Sequence, residues 1–421
     1  MFALIDVNAM YCSCEQAFRP DLAGKPVIVL SNNDASVIAR NKESKALKIQ
    51  MGEPFFRIKH LIERHKVNVF SSNYALYHSL STRFCTVVES IAPRVSVYSI
   101  DELFCDASYL TNVMPLDEFG HLLRREVKRQ TTLTCGVGVA PTKTLAKLCN
   151  HAAKTYPAAR GVVALDDPKR LQKLMSLVPL REVWGVGSRL EKTLSAMGVK
   201  TALDLSRLDT RMVRRQFSVV LERTVRELRG ESCLMLDENP AAKQQIVVSR
   251  SFGQRVTELH QMQQAITGYA ARAGEKLRQE KQFVKVISVF IRTSPYAVND
   301  VQYGNQATEE LVTPTSDTRD IIAAAQRALL RIWRPGINYA KAGIMLNDLH
   351  GREAQLDLFS PELQHRNSDN LMQLLDKLNR EERRQLFFAG QGIQPEFAMK
   401  REMLSPSYMT RWDQIPTAVL R

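Results

Sequence analysis

The stretch VSVYSIDELFCD, from Val95 to Asp106, decides the fold that the sequence predicts. Its apolar, β-favouring residues run up to Ile100, two carboxylates follow at Asp101 and Glu102, and an apolar run then resumes. Two short apolar runs joined by a polar turn are typical of a β-hairpin. We therefore predict a hairpin with two acidic side chains at or beside its bend.

The N-terminus supplies a third carboxylate for the same place. Phe2 to Ile5 is a short apolar run that predicts a buried strand, and Asp6 follows it directly. If this strand lies beside the hairpin, Asp6, Asp101 and Glu102 meet at one rim of a sheet. Each acid by itself is more typical of a solvated turn, so the prediction depends on all three converging.

Three converging carboxylates predict a cation site, because they repel one another when no positive charge lies among them. Mg²⁺ binds one or two carboxylates and fills its other positions with water and substrate phosphates. A pair of such ions is the usual device for in-line attack at phosphorus. The residues therefore predict phosphoryl transfer with two Mg²⁺ ions as the cofactor.

Composition predicts a multidomain protein with a polyanionic partner. The chain has 421 residues, 44% of them hydrophobic, and a formal net charge of +14. Since no basic amphipathic helix stands out, nucleic acid is favoured over a membrane as the partner. No apolar run approaches the length of a signal peptide core or a transmembrane helix. The seven scattered cysteines predict reduced thiols in a cytoplasmic protein.

Two motifs resemble those of the Y-family translesion DNA polymerases. Residues 6–15 have the pattern Asp-x-Asn-x-Met-Tyr-x-x-x-Glu, and residues 99–104 have the sequence Ser-Ile-Asp-Glu-Leu-Phe. Within that family the chain resembles, over its whole length, the UmuC/MucB-type catalytic subunit of DNA polymerase V. The resemblance implies an error-prone polymerase that adds dNTPs to a primer opposite damaged template bases, in SOS-type mutagenic repair.

The order of elements predicts an α+β, multidomain fold. Strand, helix, hairpin, helix and strand predict a ferredoxin-like palm, and a GVG between short helices is typical of a helix-hairpin-helix in a thumb. A second βαββαβ order follows, and the resemblance implies that it is the little finger of a right-handed polymerase. With small fingers inserted in the palm, the predicted bounds are 1–21 and 71–165 (palm), 22–70 (fingers), 166–235 (thumb), 243–350 (little finger) and 351–421 (C-terminal partner-binding tail).

The resemblance assigns roles to residues near the predicted hairpin. It implies that Asp6, Asp101, Glu102 and the carbonyl of Val7 hold the two Mg²⁺ ions, with the three carboxylates as the catalytic residues. It places Tyr11 at the steric gate, where an aromatic ring under the sugar excludes a 2′-hydroxyl. A tyrosine packed in the core is the alternative for that residue.

Two predicted helices carry lysines that could reach a triphosphate. The stretch 37–54 is predicted to be a helix with Lys45 on a basic face. A second helix, after the strand LTCGVGV, carries Lys147 and Lys154 at helical spacing. The resemblance implies that Lys45 and Lys154 bind the incoming dNTP, and a solvated basic face is the alternative.

Two regions are predicted to bind the phosphates of primer-template DNA. Gly185 and Gly187 of the helix-hairpin-helix would let backbone N–H groups and a helix N-terminus approach a phosphate. Arg250, Arg255 and Arg292 are predicted at strand ends of the little finger, where their charge suits the duplex backbone. Ordinary surface charge is the alternative for some of these arginines.

The tail contains the pentapeptide QLDLF, which matches the segment with which bacterial polymerases dock on the β sliding clamp. Its residues are Gln355, Leu356, Asp357, Leu358 and Phe359. A Gln amide followed by apolar anchors suits a preformed pocket. The alternative is an amphipathic turn packed on the protein's own surface. The resemblance further implies that the tail contacts a processed UmuD-type dimer and RecA.

Two other functions are compatible with parts of the sequence. Another palm-type enzyme, such as a nucleotidyl cyclase, explains the carboxylates but neither the helix-hairpin-helix nor the basic C-terminal domain. A DNA-binding scaffold that recruits repair proteins explains the basic regions and the tail. Primer extension separates both from a polymerase.

Overall fold

The computed structural model describes residues 1–92, 94–108, 110–236, 242–297, 299–351, 365, 367–381, 386–393 and 397–417. The chain forms two compact units. The first consists of Met1–Asn239 together with Glu402–Arg421, and the second consists of Pro240–Arg401. Among the described residues, no helix combines the length and the apolar character needed to cross a membrane. The cysteines are free thiols, as predicted.

The described part of the first unit contains two β-sheets. Their strands, in chain order, are β1 (Phe2–Val7), β2 (Val27–Leu30), β3 (Val37–Arg40), β4 (Asn68–Ser71), β5 (Val95–Val97), β6 (Glu102–Asp106), β7 (Cys135–Ala140) and β8 (Val162–Ala164). The larger sheet has the order β5-β6-β1-β7-β8, and the smaller has the order β3-β2-β4. The larger sheet is the predicted palm, and the smaller lies in the predicted fingers.

Helices of the first unit cover both faces of the larger sheet and continue beyond it. They are α1 (Met10–Ala17), α2 (Lys42–Ala46), α3 (Phe55–His65), α4 (Tyr74–Glu89), α5 (Leu116–Thr131), α6 (Lys143–Thr155), α7 (Pro168–Leu177), α8 (Ser188–Ala196), α9 (Ala202–Ser206), α10 (Thr210–Gln216) and α11 (Val219–Leu228). The strands β1, β5, β6 and β7 with α4 and α5 give the predicted ferredoxin-like βαββαβ order, and α7 to α11 lie in the predicted thumb.

Strand β1 is apolar on both faces because each face packs on a different core. Ala3, Ile5 and Val7 belong to the core that includes α4 and α5, whereas Phe2 and Leu4 belong to the core formed with α6 and the thumb helices. Successive side chains of a strand point to opposite faces. The next side chain on the face of Phe2 and Leu4 is therefore that of Asp6, which lies on the side of the sheet that α6 covers.

The prediction of one helix over 37–54 is wrong. Residues Val37–Arg40 form β3, with alternating burial, and only Lys42–Ala46 are helical. The β-branched Val37 and Ile38 favour a strand. Asn41 then caps the short helix by accepting a hydrogen bond from the Ser44 backbone nitrogen. Lys48 adopts a left-handed backbone conformation with φ of 61°, which prevents the helix from continuing.

The second unit is a four-stranded sheet covered by helices. Its elements are β9 (Ile246–Val256), α12 (Leu259–Gln279), β10 (Phe283–Arg292), β11 (Gly304–Thr315), α13 (Thr318–Ile332), β12 (Tyr339–His350) and α14 (Ser368–Glu381). The strand order is β11-β10-β12-β9, and every neighbouring pair is antiparallel. The predicted βαββαβ order of the little finger is confirmed.

The C-terminal segment packs in places that no sequence pattern indicates. Residues 402–417 belong to the first unit, where Tyr408 is buried in the palm core and Met403 packs against the core of the fingers. The sequence does not predict these contacts, because each one depends on a single side chain rather than on a periodic apolar pattern.

Candidate active site

The three predicted carboxylates lie on neighbouring strands of the palm. Strands β1 and β6 are antiparallel, and Asp6 is the direct cross-strand partner of Glu102. The backbone nitrogen of Val7 donates a hydrogen bond of 2.9 Å to the carbonyl of Asp101. The predicted pairing of the N-terminal strand with the hairpin is therefore confirmed.

Ser99 organises the bend of the hairpin. Its hydroxyl donates to Asp101 Oδ1 at 2.6 Å, and it accepts from the backbone nitrogens of Asp101 and Glu102 at 3.3 and 3.1 Å. A side chain that satisfies turn amides in this way fixes the turn locally. The serine of the Ser-Ile-Asp-Glu motif thus holds the backbone from which both acids project.

Two lysines of α6 neutralise the carboxylates. Lys154 Nζ lies 2.5 Å from Asp6 Oδ1, and Lys147 Nζ lies 2.8 Å from Glu102 Oε1. The four side chains are each between 16% and 33% exposed, so the pairs are shielded from much of the solvent. Lys154 is thus beside a carboxylate in this structure. Lys147 has a partner that the sequence prediction did not assign to it.

Burial shapes the protonation of the first carboxylate. It raises the pKa of Asp6 to about 6, against the opposing effect of Lys154, and the negative charges of Glu102 and Asp101 raise it further. A carboxyl group with two acidic neighbours in a partly buried site favours a nearby cation. The two lysine ammonium groups meet that requirement in this structure.

The donor set at this rim fits Mg²⁺. Asp6, Asp101 and Glu102 offer hard carboxylate oxygens on adjacent strands, which is the ligand type that Mg²⁺ prefers. Among the described residues, the group whose ligand atoms all lie within 4.8 Å of one another is instead Asp317, Asp320 and His365 of the second unit. In the palm, the lysine pairs direct Asp6 and Glu102 toward α6.

Aromatic rings surround the Lys147 ammonium group. Nζ lies 4.8 Å from the ring centroid of Tyr98 and 5.3 Å from that of Trp184. Trp184 stacks on Phe104 with a centroid distance of 6.1 Å and donates its indole N–H to the Tyr98 hydroxyl at 3.2 Å. Trp184 precedes the GVG turn, so this contact joins the predicted helix-hairpin-helix to the hairpin that carries Asp101 and Glu102.

Tyr11 lies in α1, one turn beyond the strand that carries Asp6. Its ring stacks on Tyr77 with a centroid distance of 4.4 Å and an interplanar angle of 15°, and it meets Tyr74 edge to face at 6.3 Å. The side chain is half-buried, and burial raises the pKa of its hydroxyl. One ring face is therefore supported by protein, an arrangement suited to a steric gate.

The predicted nucleotide and DNA contacts in the fingers and the thumb are accessible to a ligand. Lys45 is exposed in the last turn of α2. Gly185 has φ of +87°, a conformation that side chains disfavour, and Gly187 is the N-cap of α8. A Cβ at Gly187 would meet nothing within 4 Å, so the start of α8 is open to a phosphate.

The three arginines predicted to bind DNA, which are Arg250, Arg255 and Arg292 of the second unit, are exposed. Arg292 ends β10, and Arg255 lies one residue before the end of β9. Arg250 lies in the middle of β9 rather than at a strand end, which corrects the prediction. Arg292 also lies directly opposite Lys341 of β12. Like charges at directly opposed positions destabilise a sheet, and an anion between them removes that cost.

The clamp pentapeptide Gln355–Phe359 lies outside the described residues. Its role stays a prediction that rests on the sequence.

Comparisons with known proteins identify the family and agree with the fold. The impB/mucB/samB family matches residues 5–151, and the C-terminal domain of that family matches residues 243–358. The chain belongs to the impB/mucB/samB family. A domain of unknown function, DUF4113, matches residues 369–418. The predicted membership in the Y-family, in its UmuC/MucB branch, is thereby confirmed.

Curated relatives match most or all of the chain. It is 64% identical to Protein MucB of Salmonella typhimurium over 421 residues, which cover 100% of both chains. It is 53% identical to Protein UmuC of the same species over 418 residues, 99% of each. It is 28% identical to DNA polymerase IV of Pelotomaculum thermopropionicum over 370 residues, 85% of this chain and 87% of that protein.

Solved structures share the fold. The Y-family DNA polymerase chimera of Dbh and Dpo4 superposes with a TM-score of 0.66 at 18% identity, over 83% of this chain and 100% of the chimera. An insertion ternary complex of Dbh DNA polymerase superposes with a TM-score of 0.56 at 17% identity and the same coverage. The predicted α+β, multidomain polymerase fold is confirmed.

Proposed function

We propose that this protein is an error-prone translesion DNA polymerase, which adds dNTPs to a primer opposite damaged template bases in SOS-type mutagenic repair. The observation that carries the proposal is the cross-strand pairing of Asp6 with Glu102, beside Asp101, in a family whose relatives include a DNA polymerase IV. Carboxylates on a palm sheet, lysines on the covering helix and a helix-hairpin-helix supply what templated nucleotidyl transfer needs.

Asp6, Asp101, Glu102 and the carbonyl of Val7 would hold two Mg²⁺ ions, which supply charge neutralisation for the triphosphate and acidify the primer 3′-hydroxyl. The chain's own part is to position the reactants. The hairpin bend holds the ligands, and the Asp6–Glu102 pairing sets their spacing. Positioning and charge stabilisation account for most of the catalysis in phosphoryl transfer, so no nucleophilic side chain is required.

The lysines of α6 serve two states of the site in this proposal. Without substrate, Lys154 and Lys147 neutralise Asp6 and Glu102. With substrate, Lys154 turns to the triphosphate, where its ammonium group acts as a point charge, and the exposed Lys45 approaches from the fingers. Asp6 is released at the same time. The departure of Lys154 from Asp6 and the binding of the nucleotide are thereby coupled.

Tyr11 is proposed as the steric gate. Its ring is backed by Tyr77 at 4.4 Å, so the ring cannot yield in that direction without disturbing the stack. A supported ring under the sugar rejects a 2′-hydroxyl by contact. A purely structural tyrosine is the alternative, and it does not require the part of the side chain that is exposed.

DNA is proposed to be held through its backbone. Gly185 and Gly187 open the N-terminus of α8 to a phosphate, and Arg250, Arg255 and Arg292 present charge on the second unit. None of these contacts requires a particular base. Binding through the backbone therefore tolerates a damaged base in the template.

The tail is proposed to bind protein partners, namely a processed UmuD-type dimer, RecA and the β sliding clamp. For the clamp, Leu358 and Phe359 would be the apolar anchors. A short peptide of this kind binds at roughly micromolar strength, and tethering on DNA raises its effective concentration. Replacing both residues with Ala should abolish stimulation by loaded clamp and leave synthesis on short primers unchanged. Full stimulation of the double variant would exclude the docking role.

Primer extension tests the proposed function. Purified full-length protein is incubated with Mg²⁺, dNTPs and a primer on an undamaged template or one with an abasic site, with and without the UmuD-type dimer and a RecA filament. We expect the primer to be extended past the abasic site. Failure to extend under every combination, with DNA binding intact, would favour a scaffold. Formation of a cyclic nucleotide would favour a cyclase.

A further inference from the structure

The C-terminal segment, residues 402–417, is anchored to the first unit on both sides of Ser405. On one side, the Ser71 backbone nitrogen donates to the Met403 carbonyl at 2.9 Å, and the Met403 nitrogen donates to the Ser71 hydroxyl at 3.0 Å. On the other side, Tyr408 stacks on Phe18 at a centroid distance of 4.7 Å. These contacts fix the backbone of the segment against the fingers and the palm.

Ser405 links the segment to the helix that carries Tyr11. It is 5% exposed, accepts a hydrogen bond from Asn73 Nδ2 at 3.0 Å, and donates to Glu15 Oε1 at 3.2 Å. Asn73 in turn accepts from the Leu76 backbone nitrogen and caps α4. The Asn73 donor therefore orients the Ser405 hydroxyl so that its proton points to Glu15.

Glu15 joins this serine to the ring beneath the gate. The Tyr77 hydroxyl donates to the same oxygen, Glu15 Oε1, at 2.7 Å, and the Tyr77 ring is the one that stacks on Tyr11. Glu15 follows Tyr11 by one helical turn, so both lie on the same side of α1. Four side chains thus form a continuous path from Ser405 to Tyr11.

The energetics make Glu15 sensitive to both donors. Its side chain is fully buried, and its second oxygen, Oε2, has no hydrogen-bond partner among the described residues. Burial raises the pKa of Glu15 to about 7, and the hydrogen bonds from Tyr77 and Ser405 oppose that shift. Because both donors bond Oε1, removing either one leaves a single hydrogen bond on a buried carboxyl whose other oxygen has none. The carboxyl would then move or take up water, and Tyr77 would lose a fixed acceptor.

We propose that Ser405, Glu15 and Tyr77 are positioning residues for the steric gate, so that the C-terminal segment contributes to the selection of deoxyribonucleotides. Ser405 fixes the Glu15 carboxyl, Glu15 fixes the Tyr77 hydroxyl, and the Tyr77 ring supports Tyr11. The inference rests on the gate role proposed for Tyr11. It assigns a role to part of the domain of unknown function that matches residues 369–418.

The test measures sugar discrimination, defined as kcat/KM for a dNTP divided by kcat/KM for the matching rNTP. Both values come from the same preparation, so an inactive fraction cancels from the ratio. Tyr77→Phe removes the hydrogen bond to Glu15 and keeps the ring, whereas Ser405→Ala removes the hydrogen bond to Glu15 together with the one accepted from Asn73. We expect each to lower discrimination roughly three- to tenfold, the range set by one buried hydrogen bond. We expect kcat/KM for the dNTP to stay near the wild-type value.

Three controls separate positioning from general stability. Ser405→Thr keeps the hydroxyl and should keep wild-type discrimination. Ser407→Ala, in the same segment, should also leave the ratio unchanged. Adding Ser405→Ala to Tyr11→Ala should change nothing further, because the serine acts through the tyrosine.

The outcomes distinguish the positioning role of Ser405, Glu15 and Tyr77 from the gate role of Tyr11. Tyr11→Ala should lower discrimination by roughly a hundredfold, as expected for loss of a group that rejects one hydroxyl. If Tyr11→Ala leaves discrimination unchanged, the gate is wrong, and this inference fails with it. If Tyr11→Ala lowers discrimination but Ser405→Ala and Tyr77→Phe do not, the gate stands and the positioning role is wrong. An equal loss in Ser405→Thr and Ser405→Ala would also overturn it.

Discussion

The palm and the little finger follow the same order of elements, βαββαβ, but arrange their strands differently. In the palm the second, third, first and fourth strands lie side by side as β5-β6-β1-β7. In the little finger the order is third, second, fourth and first, as β11-β10-β12-β9. The first strand is therefore central in the palm and lies at an edge in the little finger.

This difference decides where charges can meet. Because the first and third palm strands are neighbours, Asp6 faces Glu102 across one pair of strands. In the little-finger arrangement the first and third strands lie at opposite edges, about 14 Å apart for three strand spacings. The same two acids would then be unable to share an ion. The palm arrangement suits a compact acidic site, and the little-finger arrangement suits a wide basic surface.

A large effect that tests this contrast is expected on DNA affinity. Replacing Arg250, Arg255 and Arg292 with Ala should flatten the slope of log K against log salt by about 2.7, at about 0.9 for each phosphate that is no longer neutralised. At 0.1 M salt this corresponds to a roughly 500-fold weaker duplex affinity. Extension by the triple variant at saturating DNA should remain, because the palm is unchanged. An unaltered salt slope would contradict the assignment of these arginines to phosphates.

A smaller effect, on stability, is expected from replacing a tightly packed glycine with alanine in each sheet. In the palm, a Cβ at Gly138 of β7 would lie 2.2 Å from the Ala146 carbonyl oxygen and 2.3 Å from the Asn150 backbone nitrogen. Both atoms belong to the backbone of α6, so the helix itself must move. Gly138→Ala should therefore destabilise the first unit by about 1–3 kcal/mol or more, and thermal denaturation measures this loss.

The matched change in the little finger should cost less. A Cβ at Gly343 of β12 would lie 2.5 Å from Phe290 Cζ, the far end of a side chain, and 2.5 Å from the Ser249 Cβ, so the edge strand β9 must also shift slightly, whereas at Gly138 both close contacts are with helix backbone. Gly343→Ala should also leave extension intact. Gly138→Ala should impair it, because α6 carries the lysines that meet the carboxylates. Equal losses of stability and activity in the two variants would remove this distinction.

Periodicity and turn chemistry are enough to predict the elements on which the site depends. The hairpin at Asp101, the strand beside it in the sheet and the βαββαβ order all follow from local patterns. The stretch 37–54 is different, because its lysines suggest one helical face, whereas β-branched residues and the cap at Asn41 set a strand and a short helix. The spacing of charges is a weaker guide there than local backbone preference.

Long-range partners could not be predicted in the same way. Ser405 and Glu15 are 390 positions apart, and no periodic pattern marks either one. The sequence feature that points to these contacts is Glu15 itself, an acid that follows Tyr11 by one turn of a mostly apolar helix. A buried carboxylate needs donors, and only the folded chain identifies them as Tyr77 and Ser405.

Asp101→Asn tests the central claim most directly. Asparagine keeps the shape of the side chain and an oxygen that can accept the hydrogen bond from Ser99, so the bend should persist, but the charge is lost. Single-turnover primer extension should fall by at least about a thousandfold, or about 4 kcal/mol of transition-state stabilisation. DNA affinity and thermal stability, measured in parallel, should match the wild-type protein. Extension by the variant at near the wild-type rate would contradict the assignment of this rim as the catalytic site.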